Sequence, residues 1–201
     1  MTAQPQPQPG RVNQKTRTRM AIVGAARELI QTGQPVTMPA IAQAALVSEP
    51  TAYRYFPDLP SLLTEAIAGI WPGPEQALRP VGGSSDPAER IAYAAEALFR
   101  HVLSCQGAVR AMIAATITRP EAARARPGLR FGLIDHALAP LRGTLAVTDP
   151  DAFSQLRLDL AAVVSAEALF TLTDLCGLTP EQAIASAAHT ARTLTTAAIA
   201  G

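Results

Sequence analysis

The segment Thr37 to Phe56, TMPAIAQAALVSEPTAYRYF, decides the fold of this chain. Thr37 and Ser48 are residue types that cap helix N-termini, and each is followed two residues later by a proline, which fits the first helical turn. The segment therefore predicts two short helices, one ending near Ala45 and one ending at Tyr55 or Phe56. Helices of this length are unstable alone, so we expect them to pack on each other and on a preceding helix.

The small residues Ala42 and Ala52 allow the close, steep crossing of a helix-turn-helix, whose second helix enters the major groove of DNA. The side chains expected to contact DNA carry hydroxyls, charges or helix-end positions that suit phosphates and base edges. They are Arg17, Arg19, Thr37, Ser48, Glu49, Pro50, Thr51, Tyr53, Arg54 and Tyr55. For Glu49 a second interpretation stays open, because an acid in the first turn also stabilises its own helix.

The flanking residues extend this unit in both directions. Apolar residues at helical spacing predict a preceding helix that begins near Thr16 or Thr18 and ends at Gly33. Asp58 can cap a following helix. Residues 1–15, which include Gln-Pro repeats, are expected to form a disordered tail.

Residues from about 16 to 70 resemble the DNA-binding head of the tetracycline-repressor (TetR-type) family. The matching features are the helix end at Gly33, the Thr37 cap, Ile41-Ala42, Val47-Ser48, the pattern Thr51-x-Tyr53-x-Tyr55-Phe56, and Leu62-Leu63. The resemblance implies a dimeric repressor that a small ligand releases from a palindromic DNA operator. Two positions depart from the pattern. Leu46 stands where the family usually has a glycine, and Asp58-Leu59-Pro60 supplies no cation where the family commonly has a phosphate-holding lysine.

The whole chain predicts an all-α protein with a three-helix DNA-binding head, residues 16–60, and a six-helix ligand-binding and dimerisation body, residues 61–201. Alanine is abundant and strand-like runs are missing. A loop rich in proline and glycine is expected at Trp71–Ser85, followed by helices at about 87–103, 107–118 and 128–145, with Pro140 bending or ending the third. A long helix is predicted from Asp149 to Gly177. A final helix opens with the capping box formed by Thr179 and Gln182.

A homodimer through residues 151–200 is expected from the last two helices. The segment Asp151–Leu175 carries apolar residues on several sides, which need cover on several sides. The final helix is rich in alanine, which lets a partner helix approach closely, and two helices from each chain would form a four-helix interface. The alternative that the alanine-rich face packs inside its own chain stays open.

The resemblance locates a small-molecule site in the helical body. An apolar ligand with one or two polar anchors is expected. The candidate lining residues are Met112, Ile113, Thr116, Phe131, Ile134, Asp135, Val164 and Phe170. Each of them could equally be an ordinary core residue, and a second interpretation of the whole chain, a DNA-binding regulator switched by a protein partner without a ligand, stays open.

Charge and composition exclude several other classes. Residues 1–60 carry a balance of +3 and residues 61–201 a balance of −2, which suits a DNA-binding head on a neutral body. Cys105 and Cys176 are expected to be reduced thiols, and without a signal sequence or a membrane-spanning run the protein is expected to be cytoplasmic. No catalytic motif is visible, so neither an enzyme nor a cofactor is expected. His101 and Cys105, four residues apart, have no further ligands nearby and are expected to pack in the core rather than bind a metal.

Overall fold

The computed structural model describes residues 9–118 and 128–200, and within those ranges every regular element is helical. The predicted all-α class is confirmed. The described residues form two compact units, residues 9–70 with 107–118 and residues 71–106 with 128–200. The functional division proposed at residue 60 remains a prediction; by packing, the helix after Asp58 belongs to the first unit.

The first unit contains α1 (Pro9–Gln31), α2 (Met38–Ala44), α3 (Glu49–Tyr55), α4 (Leu59–Ala68) and, from its second residue on, α7 (Gln106–Thr118). Here α1 packs against α2 and α4, and α2 packs against α3. Its core holds completely buried side chains from all four N-terminal helices and the residue after α3: Ile22, Ala26, Ile41, Ala52, Phe56, Leu62, Leu63 and Ala66. The apolar spacing in the sequence matches this core.

The start of α1 corrects one prediction. The helix begins at Pro9 rather than near Thr16, because proline is tolerated in the first helical turn and no helix breaker follows between Arg11 and Arg19. The predicted disordered tail is therefore wrong for residues 9–15, and its first eight residues lie outside the described ranges. Gly33 ends the helix as predicted, with a left-handed φ of +68°.

The second unit contains α5 (Pro74–Ala77), α6 (Pro87–Ser104), α8 (Leu129–Ala137), α9 (Leu145–Thr148), α10 (Pro150–Val163), α11 (Ala166–Phe170) and α12 (Pro180–Ala200). Asp86 caps α6 by accepting from the Ala88 N–H at 2.8 Å. The capping box of α12 is formed, with Thr179 N–H donating to Gln182 Oε1 at 2.9 Å and Gln182 N–H donating to Thr179 Oγ1 at 3.3 Å. The capping box of α12 was predicted.

The alanine-rich face of α12 is used inside the chain. Helix α12 packs most extensively against α6, and Ala183, Ala187, Ala188 and Ala191 are buried. Small side chains on this face allow a close helix–helix approach, so the alternative of intrachain packing is the one that the structure bears out. A dimer through residues 151–200 would have to use other faces of these helices.

Two predicted long helices are broken. The segment 128–145 divides into α8, a 3-10 helix at Ala139–Gly143 that contains Pro140, and α9, since proline ends an α-helix. The segment from Asp149 to Gly177 divides into α10, α11 and a π-helical turn at Thr171–Leu175. The prediction of one continuous helix there is wrong, because Ser165 adopts an extended backbone and caps α11.

The predicted loop at Trp71–Ser85 contains helix α5 and a 3-10 turn at Arg79–Val81. Arg90, a buried residue of α6, holds this segment by donating to Val81 O at 2.9 Å and Gly82 O at 3.2 Å. It also donates to His136 O at 2.8 Å, at the C-terminal end of α8. Sequence reasoning did not identify this arginine, because its acceptors are backbone carbonyls that leave no mark in the sequence.

Within the described ranges, no helix has the length and apolar character that a membrane crossing requires. The same part of the chain holds no cluster of three or more His, Cys, Asp or Glu residues suited to a metal ion.

Candidate DNA-binding surface

Helices α2 and α3 are each capped by the residue that the sequence indicated. Thr37 Oγ1 accepts from the Ala40 N–H at 3.3 Å, and Ser48 Oγ accepts from the Thr51 N–H at 3.4 Å. The Ser48 hydroxyl is also 2.9 Å from Thr51 Oγ1. These bonds satisfy N–H groups that a helix start leaves open, so they fix where α3 begins.

The turn between α2 and α3 is a Schellman motif with leucine in its left-handed position. The Leu46 N–H donates to Gln43 O at 3.1 Å and the Val47 N–H donates to Ala42 O at 3.0 Å. Leu46 has a φ of +55° and is 92% exposed, so its side chain gains almost nothing from burial. The left-handed backbone of Leu46, where the family usually has glycine, is therefore strained by about 1–2 kcal/mol.

Helix α3 has one buried and one exposed face. Ala52 and, just after the helix, Phe56 are completely buried and fix its packing. Tyr53, which is 47% exposed, and Arg54 point away from the core, and the Arg54 guanidinium lies 5.7 Å from the centre of the Tyr55 ring. This exposed face offers a hydroxyl and a cation, which are the groups that bind base edges and phosphates.

Arg19 is not part of a flexible arm. Its guanidinium forms an ion pair with Glu65 of α4, donates to Tyr55 O at 3.2 Å, and lies 4.2 Å from the centre of the Phe56 ring. It therefore joins α1, α4 and the end of α3. A role of Arg19 in DNA contact stays a prediction, but two of its nitrogens already donate inside the unit.

The other predicted residues are arranged around α3 and on α1. Glu49 and Pro50 are exposed at the start of α3, Thr51 is half-buried, and Tyr55 is half-buried beside Arg54. Arg17 is exposed on α1 and has no hydrogen bond or ion pair with the described residues. Among the residues predicted to contact DNA, Arg17 and Arg54 are thus exposed cations.

Two short helices that pack through buried residues, with a polar face of the second helix exposed, form a helix-turn-helix DNA-binding unit. Residues 22–66 match the model of the family described as bacterial regulatory proteins, tetR family. Over these residues the chain is similar to the DNA-binding head of that family, and the match supports a DNA-binding transcriptional regulator of this kind. No curated protein and no solved structure matches the chain.

The eight candidate ligand-lining residues divide between the two units. Met112, Ile113 and Thr116 lie on α7, in the unit of the head, and the Thr116 hydroxyl donates to Ile113 O at 2.8 Å. Phe131, Ile134, Asp135, Val164 and Phe170 lie in the second unit. Ile134 and Val164 are buried core residues, and Phe131 is 44% exposed.

Asp135 is engaged by Arg157. The Arg157 guanidinium donates to both carboxylate oxygens of Asp135, at 2.6 and 2.9 Å, and this interaction raises the pKa of Arg157. A paired carboxylate is a poorer anchor for a ligand than a free one. The ligand-lining role of all eight residues stays a prediction.

Three side-chain nitrogens in the second unit are buried without a hydrogen-bond partner among the described residues: Trp71 Nε1, His101 Nε2 and Arg130 Nε. Arg130 has other interactions, with Glu167 at 3.4 Å and with the ring of Phe131 at 5.0 Å. From the sequence, His101 was expected to pack in the core, and Trp71 was not predicted as a site residue.

Proposed function

We propose that this regulator is a homodimeric repressor that binds a palindromic operator and is released from it by a small, mainly apolar ligand, and that it has no enzymatic activity. The observation that carries the DNA-binding part is the exposed face of α3, with Tyr53 and Arg54 presented by the buried residues Ala52 and Phe56. An operator-binding repressor acts where the DNA lies, so we propose a cytoplasmic protein.

Dimerisation through residues 151–200 is supported by an exposed stripe on α10. Ser154, Leu158 and Ala162 are exposed at helical spacing, and Leu158 is 64% exposed. A two-fold axis through this surface would repeat the head, and the two recognition helices would then read half-sites about 34 Å apart.

The dimer is tested by replacing Leu158→Glu. A charge in an apolar interface is costly, so we expect a monomer at micromolar concentration that keeps its helical content. The matched control is Val147→Glu, which changes an equally exposed residue (69%) outside the proposed surface and should leave the dimer intact. A monomeric wild-type protein by sedimentation would refute the dimer.

Release by a ligand requires that the ligand bind the DNA-free arrangement of the dimer more tightly than the DNA-bound one. The connection between head and second unit runs from α4 into Trp71, and we propose that this connection carries the change. A ligand that binds both arrangements equally would leave the operator affinity unchanged.

The DNA-binding proposal is tested by selecting bound sequences from a random pool of double-stranded DNA. We expect an enriched palindrome whose half-sites are about one helical turn apart, and an affinity that falls steeply with salt because phosphate contacts dominate. A pool without an enriched sequence would overturn the proposal.

A further inference from the structure

Two aromatic rings of the second unit each bury a ring nitrogen that has no hydrogen-bond partner among the described residues, Trp71 Nε1 and His101 Nε2. The two rings meet edge to face, with centroids 4.7 Å apart and planes inclined by 65°. Native proteins leave few buried polar atoms unpaired, because each such atom gives up its bonds to water. Because the two rings adjoin, a single group that both accepts and donates could satisfy both nitrogens.

The chemistry of the pair limits that partner. The indole N–H can only donate, so it needs an acceptor. Burial lowers the pKa of His101, so its ring is neutral near pH 7, and in the tautomer with the proton on Nδ1 its Nε2 needs a donor.

Burial is the cause that lowers the pKa of His101, and no charged group contributes to this shift. Leu98, Phe99 and Val102 on the same helix are buried. Cys105, one turn further, donates its thiol to His101 O at 3.2 Å, and burial raises the pKa of this thiol to about 11, so it stays neutral. A charged ligand group would have to lose its water without an opposite charge nearby.

We propose that Trp71 and His101 form the polar anchor of a binding site for an uncharged hydroxyl group on an apolar molecule, an alcohol or a phenol. The hydroxyl oxygen accepts from the Trp71 N–H, and the hydroxyl proton is donated to His101 Nε2. A carboxylate has no proton to donate to His101, and an ammonium group cannot accept from the indole. This inference names the chemical class of the ligand in the function proposed above and rests on that function.

Tryptophan fluorescence reports on this site directly, because Trp71 is the single tryptophan of the chain. The experiment follows the Trp71 fluorescence of the full-length protein during titration with 1-hexanol or with hexyl methyl ether, which can accept a hydrogen bond but cannot donate one. We expect a saturable change with 1-hexanol and an affinity for the ether that is about fivefold weaker, the ratio that corresponds to one hydrogen bond.

Two variants separate the hydrogen bond from the packing. His101→Phe keeps a ring against Trp71 but removes Nε2, so the preference for the alcohol over the ether should disappear. The control His189→Phe changes an exposed histidine of α12 and should keep the preference. If His101→Phe does not fold, nitrogen NMR of the wild-type imidazoles gives the same information, because only the His101 Nε2 signal should shift on addition of 1-hexanol.

The proposal is overturned if 1-hexanol gives no saturable change, if alcohol and ether bind equally, or if the preference survives in His101→Phe. Any of these results would mean that water or the partner ring satisfies the two nitrogens. The titration uses no DNA, so its outcome is independent of operator binding. A failed titration would refute the alcohol site without refuting DNA binding. A failure to bind an operator would not change the result of the titration.

Discussion

Two serines start short helices in this molecule, Ser48 before α3 and Ser165 before α11. Each has an extended backbone, and each side chain accepts from the N–H three residues further along, at 3.4 Å for Ser48 and 3.0 Å for Ser165. They differ in surroundings, because Ser48 is exposed and Ser165 is 4% exposed.

The sequence around the two serines explains why only the cap at Ser48 was predicted. Ser48 follows the end of α2 and precedes Pro50, so two punctuating signals surround it. Ser165 lies in a segment with no proline or glycine from Asp151 to Cys176, so no such signal marks it. Val164 and Leu169 are both completely buried although an α-helix would turn positions five apart to different sides, and the break at Ser165 lets both enter the core.

The largest predicted effect on stability is the loss of the core beneath α3. Replacing Phe56→Ala should destabilise the head by about 3–5 kcal/mol, because a completely buried phenylalanine leaves a cavity. Denaturant unfolding followed by helical content measures this. Tyr53→Ala, on the exposed face of the same segment, should stay close to the wild-type stability, and equal losses in both variants would contradict the assignment of faces.

The next prediction compares Arg19 with Arg17. Both lie on α1, but only Arg19 forms an ion pair. Arg19→Ala should cost about 1–2 kcal/mol of stability through the lost ion pair, hydrogen bond and ring contact. Arg17→Ala should leave stability unchanged and, if Arg17 holds a phosphate, lower the salt slope of DNA binding by about one. A stable Arg19→Ala protein with a reduced salt slope would instead favour DNA contact by Arg19.

Ser165→Ala sharpens the comparison directly. Loss of the cap leaves the part-buried Ala168 N–H without its acceptor and should cost about 1 kcal/mol. Ser85→Ala, at an exposed position before α6 and outside the proposed dimer surface, is the control and should have little effect. A stabilised Ser165→Ala protein would mean that the serine opposes a continuous helix that the core would otherwise accept.

The smallest effect is expected at the turn before Ser48. Leu46→Gly should stabilise the head by about 0.5–1 kcal/mol, since relief of left-handed strain exceeds the entropy that glycine adds to the unfolded chain. Gly33→Ala is the reverse exchange at the same left-handed position of α1, where a Cβ would meet no atom within 4 Å. It should cost about 1 kcal/mol through conformation alone.

Local signals predicted the head better than the second unit. Thr37, Ser48 and Asp58 mark their helices by residue type, and each cap is present. The pairing of Arg19 with Glu65 joins residues 46 positions apart, and the five carbonyls of the loop and α8 that hold Arg90 leave no trace in the sequence. Contacts of this kind depend on the folded arrangement, which a single sequence does not display.

The central claim is that the exposed face of α3 reads DNA. Its most direct test measures the affinity of the wild type, Tyr53→Ala and Arg54→Ala for the DNA sequence selected by the wild type, together with the melting temperature of each protein. We expect each variant to bind about 1–3 kcal/mol more weakly with nearly unchanged melting temperature, because both side chains are exposed and make no core contact. Unchanged affinity in both variants would contradict the claim.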